Sequence, residues 1–113
     1  MLDKKKFYQK LKPFANKHLP INFFFRFGGH YEIVFNWQGE KPNGDFNPMM
    51  YAQLIDSNIS GSKKYVVPDL IFDCQKEGAT TDYKLFKFLD SWATKSVTKH
   101  EAALAAQEGE QRE

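Results

Sequence analysis

Two sets of residues in this chain are of types that can do chemistry. Pro68-Asp69, followed by Asp82-Tyr83-Lys84, supplies two carboxylates and an amine. In such a set two acids hold a divalent cation and a lysine positions or activates the attacking water. The second set is the histidines, His18, His30 and His100. They lie far apart, with no partner at metal-ligand spacing and only Cys74 as a thiol, so no structural metal site is expected. Cys74 ends an apolar run and reads as a small buried hydrophobe rather than a nucleophile. Gly28-Gly29 is not a phosphate loop, because no Lys-Ser/Thr ending follows and the chain continues as a strand rather than a helix.

The acid, acid, lysine order resembles the PD-(D/E)xK nucleases over about seventeen residues. The resemblance implies Mg²⁺-dependent cleavage of DNA or RNA, with Asp69, Asp82 and Lys84 at its centre. That family carries its second acid and lysine on a strand, whereas here they fall where a helix begins. The plainer reading is a strand turn at Pro68 and an acid in a helix's first turn, which favours its positive end. No catalytic residue, metal or cofactor is assigned, and the chain is read as non-enzymatic.

Aromatic and basic residues together suggest a different chemistry, in which bases stack on exposed rings while Lys or Arg neutralises phosphates. The side chains for single-stranded nucleic acid would be Lys4, Lys5, Lys6, Phe24, Arg26, Lys63 and Lys64. The formal net charge of +2 hides a gradient: the first twenty residues carry six Lys against Asp3, and the last thirteen carry four Glu against Arg112. Most of the Phe residues nevertheless recur at core-facing spacing, which is the signature of packing rather than of a stacking platform.

The elements that must position these groups begin with Ile21 to Trp37, two alternating apolar strands joined through Gly28 and Gly29. Ile21, Phe23, Phe25 and Phe27 share one face, as do Tyr31, Ile33, Phe35 and Trp37 on the second strand. A two-residue Gly-Gly loop would set Phe25 opposite Glu32 and bury a carboxylate against aromatics. A three-residue loop restores odd-with-odd pairing in two ways. Phe27 to Gly29 places Gly29 in the left-handed position, and Gly28 to His30 sets Arg26 across from Glu32. A misplaced left-handed residue costs about 1 kcal/mol and an exposed ion pair is worth roughly 0.2 to 1, so the Phe27 to Gly29 loop is expected.

Elsewhere, Asp3 is an N-cap for a helix bearing Phe7, Leu11 and Phe14, which Pro13 interrupts and Pro20 closes. Gly and Pro crowd the stretch after Trp37, where Asn43-Gly44 marks a tight turn and Asp45 lies in a candidate contact loop. Asn47-Pro48 resembles a helix start, and the helix formers of MMYAQLID predict a short helix from Pro48 to Asp56. Tyr65 to Cys74 suits a strand, with Pro68 implying an edge or a bulge. From Thr80 or Thr81, Leu85, Phe86, Phe88, Leu89, Trp92, Ala93 and Val97 mark one face of a long helix.

These elements predict a two-layer α+β fold. An antiparallel sheet of three to four strands is flanked by an N-terminal helix and a long C-terminal helix, in one domain over 1–108, with 109–113 as a frayed polar tail. Neither a secretion signal nor a membrane-length apolar run is present and Cys74 is alone, so a cytoplasmic setting is expected. The expected function is that of a small protein-binding module of the inhibitor, immunity, adaptor or phage-accessory type. Its contact residues would be Phe24, Arg26, Glu32, Val34, Asn43 and Asp45, with another protein as partner and a homodimer as a further arrangement. Single-stranded nucleic-acid binding is the alternative and the metal-dependent nuclease the third.

Overall fold

The computed structural model describes residues 2–11, 21–37, 43 and 49–111. Helix α1 spans Lys4–Leu11, and strands β1 (Ile21–Phe27), β2 (Tyr31–Trp37), β3 (Met49–Asp56) and β4 (Tyr65–Asp73) follow. Helix α2 then spans Asp82–Gln111. The strands pair antiparallel in the order β1-β2-β3-β4, a simple meander. Both helices lie on one face, so the fold is the expected two-layer α+β arrangement with four strands. The expectations placed on Pro13, Phe14, His18, Pro20, Gly44, Asp45, Asn47 and Pro48 lie outside the described residues.

The helices form where their caps allow. Asp3 Oδ1 accepts from the Lys6 amide at 3.0 Å, closing the first turn of α1, and Thr81 Oγ1 accepts from the Lys84 amide at 3.2 Å at the start of α2. The spacing of Phe7 and Leu11 turns one stripe of α1 inward, where Phe7 meets Phe25 at 5.9 Å and Phe86 at 5.5 Å between ring centroids. At the opposite edge Phe88 of α2 meets Phe72 of β4 at 4.5 Å. The core between helices and sheet is built from Phe25, Ile33, Phe35, Leu54 and Leu89, all 3% exposed or less. Among the described residues no helix is long and apolar enough to cross a membrane.

Two expectations are corrected. Met49–Asp56 is a strand at the centre of the sheet, not a helix. Its burial alternates strictly, with Met50, Ala52, Leu54 and Asp56 inward, and β2 and β4 hydrogen-bond it on both sides. Pairing on two edges outweighs the few tenths of a kcal/mol per residue by which Met, Ala, Gln and Leu favour a helix. The hairpin loop is Gly28 to His30 rather than Phe27 to Gly29: Phe27 pairs with Tyr31, and Arg26 stands across from Glu32. Gly28 and Gly29 both take positive φ, 61° and 83°. The register is fixed from outside the hairpin, because the His30 carbonyl accepts from the Ser57 amide at 2.8 Å and its ring is held by Asp56. Phe27 and Tyr31 then stack on the inner face at 5.5 Å.

Pro68 falls in β4, which is an edge strand, and the β3–β4 register shifts around Leu54, so edge and bulge both occur.

Candidate functional site

Among the described residues the sheet has one face covered by the helices and one face left open. Phe24 and Arg26 of β1 and Glu32, Val34 and Asn36 of β2 point away from both helices, and Phe24 is 60% exposed there. Arg26 is exposed beside it, while Glu32 and Val34 are half-buried on β2. The same face continues across the sheet to Ile71 of β4, 61% exposed, and to Met49 and Tyr51. Asn36, Met49, Met50, Tyr51 and Ile71 line a shallow depression of about 350 Å³ on it. Polar links on this side are long: Gln53 Nε2 donates to Tyr51 Oη, and Tyr51 Oη to the Pro68 carbonyl, each at 3.4 Å.

Of the residues assigned to partner contact, the structure thus brings together Phe24, Arg26, Glu32 and Val34. Asn43 is an exposed turn residue, and Asp45 is not among the described residues. The lysines assigned to nucleic acid are divided. Lys4 is drawn over the Tyr83 ring at 5.0 Å, with Lys87 on the same ring at 5.8 Å. Lys6 turns instead toward β1, where with Gln9, Lys10, Phe24, Phe25 and Arg26 it lines a groove of about 660 Å³. Lys63 and Lys64 sit in the 3-10 turn that leads into β4, at the other edge of the sheet. Asp69 is exposed on β4, and Asp82 and Lys84 occupy the first turn of α2 rather than a strand.

A second constellation was not anticipated from spacing. Asp56, 1% exposed at the end of β3, accepts from His30 Nδ1 at 2.9 Å on one oxygen and from His100 Nε2 at 2.8 Å on the other. The Asn58 amide adds a third donor at 3.0 Å. Burial alone pushes the Asp56 carboxyl up, but the bonds from His100, His30 and Asn58 outweigh it and hold it below its ordinary value. Beside this trio Tyr31 Oη donates to Glu101 Oε1 at 2.9 Å. Burial, then the bond and charge of Glu101, push the Tyr31 phenol well above the usual tyrosine range.

The cluster fastens three parts of the fold to one another. An ionised Asp56 requires a proton on each facing ring nitrogen, so the three groups present N–H donors to one carboxylate and no shared set of lone pairs. Among the described residues no three His, Cys, Asp or Glu side chains are placed to hold a metal ion. A carboxylate that orients an imidazole is also half of a general-base arrangement, but the adjacent Ser57 hydroxyl donates to the His30 carbonyl at 2.8 Å, not to its ring. What the cluster joins is clear from its members: the hairpin loop, the end of β3 and the middle of α2.

A signal for it was present. Leu89, Ala93 and Val97 form the buried stripe of α2, and the next positions on that stripe are His100 and Glu101. Asp56 has the parity of Met50, Ala52 and Leu54 once the segment is taken as a strand.

Comparison with protein families, curated proteins and solved structures finds no match to this chain. The geometry therefore stands by itself.

Proposed function

We propose that this is a small, non-enzymatic protein-binding module that acts through the outward surface of its β1–β2 hairpin. The observation that carries the reading is the open sheet face, where Phe24 and Ile71, 60% and 61% exposed, stand on the side opposite both helices. Large apolar side chains on a rigid sheet lose little conformational freedom on contact, and apolar area removed from water is worth about 25 cal/mol per Å². Affinity capture from the native host with wild type and with Phe24→Ser/Ile71→Ser tests it. A protein that forms a one-to-one complex with the purified wild type and not with the variant supports the reading. Identical capture by both sinks it.

A second reading has one observation in its favour: the Phe24 ring lies in a groove with Lys6, Lys10 and Arg26, a stacking surface beside cations. Against a strand of nucleic acid laid across the sheet, the charges on the strands beyond β1 are all acidic, Glu32, Asp69, Asp73 and the buried Asp56, and Lys63 and Lys64 are at the far edge. Binding that does not weaken as salt rises would contradict a phosphate-based mechanism.

A further inference from the structure

We infer that the edge of β1 left unpaired among the described strands takes an extended, acidic peptide segment of a partner protein as a fifth strand. This rests on the protein-binding reading and names the chemistry of its partner.

The two edges of the sheet are not equivalent. β4 carries Pro68, which cannot donate to a ladder, its register against β3 shifts around Leu54, and Asp69 is exposed on it. These are the devices that keep an edge from pairing. β1 has neither a proline nor a register shift, and its one charge, Arg26, is a cation: INFFFRF pairs with β2 in unbroken register from Ile21 to Phe27 and, among the described strands, with β2 alone. Alternate backbone groups of an edge strand face away from its neighbour, and an extended chain is the ligand that satisfies them.

Charge selects the occupant. Lys6 and Lys10, on one face of α1, and Arg26 of β1 line the groove, whose apolar walls are Phe24 and Phe25. Among the described residues no carboxylate lies within ion-pair distance of these three cations. A second copy of this chain, pairing β1 with β1, would oppose one copy's cations with the other's. An acidic strand meets them with opposite charge, and its apolar side chains fall on Phe24. Like charge at an interface disfavours the wrong partner as strongly as opposite charge favours the right one.

The test is selection of random linear peptides displayed on phage against the immobilised full-length protein. Enriched peptides are expected to alternate Asp or Glu with apolar residues. In amide NMR spectra they should shift residues 24–26, and they should lose at least tenfold in affinity to Lys6→Glu/Lys10→Glu, two exposed changes whose fold is checked by circular dichroism. Methylating every second amide of a selected peptide should abolish binding in one phase and spare it in the other. Several results overturn the proposal: no enrichment of acidic peptides, indifference to the charge reversal, equal tolerance of both methylation phases, displacement of the peptide by a dT twelve-mer, or a β1-mediated homodimer in sedimentation. Peptides that instead shift Met49, Tyr51 and Ile71 would remove the edge while leaving the binding module intact. Failure of both this selection and the host capture would remove both.

Discussion

Asp56 and His100, forty-four residues apart, meet at 2.8 Å across the interface between sheet and helix, and His30 closes the other side of the same carboxylate at 2.9 Å. One buried acid thus ties a loop, a strand end and a helix. Removing the acid leaves two imidazoles and an amide donor with no acceptor. Asp56→Ala should cost roughly 3 to 5 kcal/mol, because it leaves three donors without their acceptor, and Asp56→Asn, which keeps one acceptor oxygen, should cost less. Urea unfolding of both variants reads the difference.

Acid stability follows from the same group. The folded-state pKa of Asp56 lies below its ordinary value. Its contribution is therefore complete above about pH 4, where an unfolded Asp is ionised, and is lost as pH falls through the folded value. Between pH 5 and pH 2 the melting temperature should fall more steeply for wild type than for Asp56→Asn. Parallel curves would place the acid sensitivity elsewhere.

Tyr31 behaves in the opposite sense. Its pKa is raised in the folded state, so its contribution is present below about pH 10 and is lost as pH rises beyond that. The chain has five tyrosines, and in a titration followed at 295 nm the latest-ionising component should disappear in Tyr31→Phe. The same variant should lose about 1 kcal/mol at neutral pH with the bond to Glu101.

Gly28 is the strictest of the loop positions. It sits at φ 61°, and an added Cβ would stand 3.2 Å from Tyr31 Cδ2, whereas at Gly29 a Cβ meets nothing within 4 Å. Gly28→Ala should cost about 1 to 2 kcal/mol, and Gly29→Asn, a residue that tolerates the left-handed region, well under 1. Chemical denaturation distinguishes them.

Cys74 should be slow to react. Burial and the neighbouring Asp73 charge push its thiol up, so little thiolate is available at neutral pH. Its rate with a disulfide reagent should rise at least tenfold on unfolding in urea.

The parts of this fold legible in the sequence are those whose signal is local. Asp3 capping α1, the odd-face aromatics of the hairpin and the stripe from Leu85 to Val97 each follow from spacing within a few residues. β3 was not legible, because Ala52 and the helix formers around it conceal a true alternation, and only pairing with β2 and β4 reveals it. The hairpin register was missed for a related reason. Local turn chemistry and cross-strand charge point to different loops, and the contact that decides between them, Ser57 and Asp56 on His30, comes from a strand read as helix. The histidine clasp inherits that error, since Asp56 on a helix end would have faced water. Phe24, Arg26, Glu32 and Val34 share the outward face in either register, because a slip by two leaves parity unchanged.

The unequal edges of the meander also set a limit on stoichiometry. A sheet open on both sides is a repeating unit and can propagate into fibrils, each added strand offering a fresh edge. Here Pro68 and the shifted β3–β4 register disfavour pairing at β4, so a sheet that grows at β1 would not also grow at the other side of this molecule. If β1 takes a partner strand as proposed, the complex is expected to stop at one to one.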